Sequence, residues 1–314
     1  MNEVFGLRRG NDRNDICLAI VTKHEVDILV RPERSEQAPK EVMIHVKDLR
    51  KQSKEYEKIL YSPKRITEMR TQYDGVLVCV NRYELKDILP ILAKSQHLAS
   101  YFAFLQNNWD LKREIEAFLP REKTMVAFPS SVGGGRSEDG LEVIVFDEAT
   151  RLGGECQMGM NDLSQSLEEV GIKTHYDKHI YDWLKLHYLQ QSITAGAVLE
   201  KGDFLSFAQD DQAIKKMIQA FREGIEVCRL QGVPVHKIFP ANLFKLPLFL
   251  LAREMKKMFL DIHTIEMVNN HMKKGLPEWI VGYQEVLEDG LKMGLPMTVW
   301  SSYKIFVDRY LQSE

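Results

Sequence analysis

The chain has no long apolar run. Its most apolar window, LPLFLLA at Leu246 to Ala252, is far shorter than the roughly 20 residues that span a bilayer. The opening residues are charged (Glu3, Arg8, Arg9) where a signal sequence would be apolar. Cysteine is scarce: Cys17, Cys79, Cys156 and Cys228 stand far apart with no C-x-x-C pair, which argues against both a disulfide framework and a metal cage. Net charge is small as well, with Lys+Arg 42 against Asp+Glu 45, so bulk attraction to nucleic acid or an anionic membrane is lacking. There is no internal repeat and no low-complexity tract. These absences predict a soluble, cytoplasmic protein with no metal, no nucleic-acid partner and no membrane partner.

The chain does contain enough residues, 314 of them with 44% hydrophobic, for about two domains with cores of their own. In the first half, EVDILV (25–30), DGVLVCV (74–80), YFAFL (101–105) and TMVAF (124–128) are compact apolar runs. ELKDILPILAKS and WDLKREIEAFL lie between them with apolar residues at helical spacing. Near-continuous apolar strands separated by helices predict a mostly parallel, Rossmann-like sheet covered on both faces. Its ligand would lie at the carboxyl ends of the strands. The segment GGGRSEDGLEVIVFDEATRLGGE reads as hairpin-like strands closing the sheet, and NDLSQSLEEVG as a helix capped by Asn161, Asp162 or Ser164. From about Asp177 the β patterns vanish. Only helical patterns follow, with Pro234, Pro240, Pro247, Pro277 and Pro296 marking boundaries. The expected division is residues 1–176, α/β, and residues 177–314, all-α.

A dinucleotide-binding glycine motif is missing. VFGLRRGNDRND, Val4 to Asp15, has two wrongly spaced glycines with arginines between them. PSSVGGGR is not spaced as a P-loop and reads as a loop. HYDKH at 175–179 reads as a strand-to-helix junction rather than a zinc site.

The order HEVDILVRPER, GVLVCVNRYEL, FLQNNWD, VAFPSSVGGGR, WLKLH and PEWIVGYQEVLEDGLKMGLPMT resembles the ketopantoate reductase (2-dehydropantoate 2-reductase) family, in a divergent branch. The resemblance covers nearly the whole chain. It implies a Rossmann-like NADP(H)-binding domain and a helical domain like the C-terminal domain of 6-phosphogluconate dehydrogenase, used for substrate binding and dimerisation. The implied activity is hydride transfer from NADPH to a 2-keto acid, giving a 2-hydroxy acid as in pantothenate biosynthesis. The family tends to self-associate, which implies a homodimer.

The resemblance also implies site residues. Arg31 ends a strand where an acid would read NAD ribose hydroxyls, and its guanidinium suits a 2′-phosphate instead. Asn81 stands where the family commonly has a Lys near cofactor and substrate. Asn107 matches the Asn that hydrogen-bonds near the nicotinamide, and Asn108 stands in for the Gly after it. Residue by residue, the alternatives are a solvated Arg31 and a helix cap formed by Asn107 and Asn108. Lys185 matches the general acid: hydride attack makes an alkoxide, and a cation with a transferable proton lowers that barrier. Glu278 matches the glutamate that contacts the substrate hydroxyl and the lysine; after Pro277 it also reads as a first-turn helix residue. At the N-terminus Gly6 falls near the first glycine of G-x-G-x-x-G, leaving residues 1–5 for the first strand. Arg8 and Asn11 then replace the second and third glycines.

Departures from the family pattern leave a second reading open. Leu189 stands where Asn is usual, one turn after the lysine, and Glu266 where a Ser meets the substrate carboxylate. With the altered glycine turn, these suit a catalytically impaired relative kept for binding or assembly. A truncated or misassigned start is a third reading.

Overall fold

The computed structural model describes residues 3–8, 25–32, 39–51, 55–137 and 139–313. The described chain divides into two compact units, residues 1–106 with 111–180, and residues 107–110 with 181–314.

The first unit carries two sheets. The larger has the order β12-β11-β8-β7-β6-β1-β2-β5, where β1 is Glu3–Arg8, β2 Glu25–Leu29, β5 Lys64–Ile66, β6 Tyr73–Cys79, β7 Ala99–Phe104, β8 Thr124–Phe128, β11 Thr150–Gly154 and β12 Thr174–Tyr176. Every pairing in it is parallel except β8 with β11. Val76, Val78, Phe102, Phe104, Val126 and Ala127 are fully buried, as strands covered on both faces require. The four apolar runs of the sequence are thus β2, β6, β7 and β8, within two residues of their expected ends. From β1 the chain passes to β2 on one side while β6, β7 and β8 build outward on the other. The strand order therefore switches between β1 and β6, where open α/β sheets hold ligands.

The smaller sheet, β4-β3-β10-β9, differs from expectation. Val42–Asp48 (β3) and Glu57–Tyr61 (β4) were not read as strands, and PSSVGGGR is not a loop: Val132–Ser137 (β9) pairs antiparallel with Gly140–Val145 (β10). The hairpin therefore exists but joins β3 and β4 instead of closing the large sheet, which only β11 enters. Leu141, Val143, Val145, Val42 and Ile44 form that sheet's own core.

The second unit is helical: α4 Ile180–Lys201, α5 Phe204–Gln209, α6 Asp211–Leu230, α7 Leu248–Phe259, α8 Ile262–Lys292, α9 Thr298–Ser301 and α10 Lys304–Ser313. (Leu85–Ser95, Leu111–Glu116 and Gln157–Glu169 of the first unit are α1 to α3.) The α3 helix begins at Gln157, so Asn161, Asp162 and Ser164 lie inside it and do not cap it. Pro277, expected at a boundary, lies inside α8, so the two helices read there are one. None of the described helices is long and apolar enough to cross a membrane.

One cap in this unit has a pH signature. Asp210 accepts from the backbone N–H groups of Gln212 and Ala213 at the start of α6, at 2.8 and 3.1 Å, and pairs with Lys201 Nζ at 2.6 Å. The lysine first, then the two N–H groups, lower its carboxyl from 3.8 to about 2. A lowered folded value means a contribution to stability present above pH 3.8 and lost as pH falls toward 2. The difference in unfolding midpoint between wild type and Asp210→Ala should thus be constant above about pH 5 and shrink below pH 4; paired urea titrations across that range measure it.

Candidate active site

On α4, Lys185, Tyr188 and Ser192 share a face, being three and four residues apart. On α8, Glu278, Gly282, Glu285 and Asp289 do the same. The two faces meet in antiparallel register. Tyr188 Oη donates to Glu285 Oε2 at 2.7 Å. At Gly282 an added Cβ would lie 2.3 Å from Ser192 Oγ and 2.9 Å from Tyr188 Cζ, so only glycine permits this approach.

Lys185 sits at one end of that contact. Its Nζ donates to Gln231 Oε1 at 2.6 Å and lies 4.7 Å from the centre of the Trp109 ring, a cation–π distance. Gln231 Nε2 donates to Asp289 Oδ2 at 3.0 Å, and Trp109 Nε1 donates to the same oxygen at 2.8 Å. Cys228, also close to Lys185, is fully buried, and burial pushes its thiol up to about 12, so no thiolate competes there. His187 stacks on Trp183 at 4.9 Å, away from this cluster.

The segment 107–110 belongs to this helical unit, although it directly follows the β7 region. Asn107 is 1% exposed and its carboxamide lies on the α4 turn. In one orientation it donates to Gln191 Oε1 at 2.7 Å; turned over, it donates to Leu184 O at 3.0 Å and accepts from Tyr188 N–H at 3.3 Å. Either orientation pins Trp109 against Lys185. Asn108 Oδ1 accepts from Asp110 N–H at 3.4 Å, close to the capping role open to the pair.

Glu278 does not pair with Lys185 among the described contacts. It is eleven residues from Asp289, about 16 Å along α8 at 1.5 Å per residue, and Asp289 is the residue level with the lysine. Because α8 runs through Pro277, Glu278 is not in a first turn either. Leu189 is fully buried, and its Cδ1 lies 2.2 Å from where a Cβ on Gly224 would be. The position where the family has Asn is therefore part of the core. The side chain of Glu266 lies outside those described.

In the first unit, Gly6 is not a turn residue. It is inside β1, paired with Ile28 and Leu77, and Arg8 pairs with Cys79 at the strand's end. The strand runs on past Phe5 to Arg8; residues 9–24, Asn11 among them, and the side chain of Arg8 lie outside those described. Arg31, two residues after β2, pairs with Asp87 Oδ2 of α1 at 3.0 Å, with side-chain exposures of 46% and 52%. An exposed pair is weak and exchangeable. Asn81, two residues after β6, donates from Nδ2 to Tyr83 Oη at 2.8 Å and opens the following turn. Gln106 is fully buried after β7; its Nε2 donates to Val80 O at 2.6 Å, while Oε1 has no partner. At the carboxyl edge of the sheet, the unpaired Gln106 Oε1 and the exposed Arg31 guanidinium, exchangeable from Asp87, would fit a nicotinamide dinucleotide. Among the described residues no group of His, Cys, Asp and Glu could hold a metal ion.

Sequence reasoning missed Trp109, Gln231 and Asp289. Part of the pattern was readable: acidic residues and a glycine at 278, 282, 285 and 289 mark one helix face.

Residues 16–154 match the family model for ketopantoate reductase PanE/ApbA. No curated protein matches the chain by sequence. Solved structures match over nearly its full length. A ternary complex of D-mandelate dehydrogenase with NADH and anilino(oxo)acetate has TM-score 0.73 at 13% identity, covering 99% of each chain. The 2-dehydropantoate 2-reductase of Geobacter metallireducens has TM-score 0.66 at 13% identity, over 98% of this chain and 99% of that one. The dimeric ketopantoate reductase of Staphylococcus aureus has TM-score 0.65 at 12% identity, over 99% of each. Residues 16–154 thus resemble the ketopantoate reductase PanE/ApbA family, in a chain that over nearly its whole length has the fold of solved 2-dehydropantoate 2-reductases.

Proposed function

We propose that this protein is an NADPH-dependent oxidoreductase that reduces a 2-keto acid to a 2-hydroxy acid, with Lys185 as the general acid. The observation that carries the reading is the placement of Lys185: its Nζ is held by the neutral carboxamide of Gln231 and the face of Trp109. The dinucleotide, when bound, supplies the hydride. Lys185 then hands its proton to the carbonyl oxygen as that oxygen becomes an alkoxide, and its charge stabilises the developing anion before transfer. Asn107 positions the lysine's turn of α4 and carries Trp109 against the ammonium. On the sheet, Arg31 exchanges Asp87 for the 2′-phosphate, Gln106 Oε1 accepts from the cofactor, and Asn81 shapes the turn after β6. Gly6 and Arg8, in β1, belong to the cofactor half of the chain. Asp289, through Gln231, takes the place of Glu278 as the carboxylate linked to the lysine.

The similar solved structures support the substrate class: the D-mandelate dehydrogenase complex holds anilino(oxo)acetate, and the others are a 2-dehydropantoate 2-reductase and a ketopantoate reductase. A cytoplasmic homodimer follows by the same analogy. One observation favours the other reading, a relative that binds without turnover. Leu189 occupies as core the place of a polar family residue. NADPH oxidation followed by absorbance with a panel of branched, aryl and short 2-keto acids separates the two. Turnover of any of them supports the reductase, and a flat trace with all of them supports the binding relative.

A further inference from the structure

Resting on Lys185 as the proton donor, we propose that Gln231, oriented by Asp289, is a positioning residue that holds the Lys185 ammonium against the Trp109 face without setting a carboxylate on it. Three elements converge to do this: the 107–110 segment, the residue that ends α6, and α8. Asp289 Oδ2 accepts from both Trp109 Nε1 and Gln231 Nε2. The amide nitrogen of Gln231 must therefore face Asp289, because turning the group over would set its oxygen against a carboxylate and its NH2 against an ammonium. That leaves Oε1 as the acceptor for Lys185 at 2.6 Å. The indole is fixed by the same oxygen, so one carboxylate orients both groups that touch the lysine.

The arrangement has a chemical consequence. A carboxylate in direct contact would neutralise the ammonium; the carboxamide orients it through a single neutral acceptor and leaves its charge to meet the developing alkoxide. Among the described groups, the buried thiol of Cys228 on α6 lies near Lys185, and Asp182, three residues earlier on α4, acts on the same thiol. Glu285 accepts from Tyr188.

The test uses the full chain with Gln231→Met, which keeps the length and removes the acceptor, and Asp289→Asn as a second, isosteric variant. Two readouts are taken. The first is the rate at which trinitrobenzenesulfonate labels Lys185, resolved by peptide mass; the second is the split of kcat, KM and NADPH affinity. In Gln231→Met the labelling of Lys185 should rise about tenfold, the scale of a lost charged hydrogen bond, with other lysines unchanged. The kcat should fall by a similar factor at constant KM and NADPH affinity. Asp289→Asn should shift both in the same direction by less. Unchanged labelling of Lys185 in both folded variants overturns the proposal, as does a uniform rise across all lysines. Faster labelling in a protein that reduces no 2-keto acid upholds the positioning and rejects the reductase reading on which it rests.

Discussion

Lys185→Ala is expected to slow 2-keto acid reduction by about 10²–10⁴-fold, the range for removal of a positioned general acid, while NADPH still binds. The ammonium is the cation held at the junction of α4, α6 and the 107–110 segment, and alanine leaves Gln231 and Trp109 facing an empty position. Cofactor affinity should be preserved because Arg31, Asn81 and Gln106 belong to the sheet-bearing unit. Lys185→Arg sharpens the result: it keeps the charge and hydrogen-bonding capacity but does not readily release a proton. An arginine variant nearly as slow as the alanine one identifies proton transfer as the loss; one close to wild type identifies charge. Steady-state kinetics at saturating NADPH, with affinity measured separately, decide it. Unchanged turnover in Lys185→Ala would refute the assigned role.

Leu189→Asn, which introduces the residue usual at this place in the family the chain resembles, should destabilise the helical unit by about 3 kcal/mol or more instead of improving catalysis. Leu189 is fully buried and fills the space opened by Gly224. Exchanging it removes buried apolar surface worth about 2–5 kcal/mol in leucine truncations and adds an amide with no partner, about 1–3 kcal/mol more. The polar contact to Lys185 comes from Gln231, itself held by Asp289, not from one turn further along its own helix. Urea unfolding of the variant gives the cost, and a wild-type midpoint would show that the packing tolerates the amide.

The parts of the fold that could be read were those written in local chemistry. The strands β2, β6, β7 and β8 announce themselves because burial on both faces demands unbroken apolar residues. The smaller sheet stayed hidden for the opposite reason. Its β4, EKILY, is exposed at nearly every position, and β9, VGGGRS, has the glycines of a turn. Pro277 misled because proline usually ends helices, yet α8 continues through it. At the site, Lys185 and Asn107 came from a motif resemblance, whereas Trp109, Gln231 and Asp289 lie up to 180 residues apart in the chain and meet only through helix packing. The family resemblance points to Glu278 as the lysine's partner; the antiparallel register of α4 and α8 instead brings Asp289 near Lys185, with Gln231 between them.

The most direct measurement of the central claim is a fluorescence titration of the purified protein with NADPH and with NADH, repeated on Arg31→Ala. The account predicts saturable binding with NADPH preferred, and a loss of that preference by about tenfold or more in Arg31→Ala as a charged contact to the 2′-phosphate disappears. No binding of either dinucleotide at millimolar concentration would contradict it.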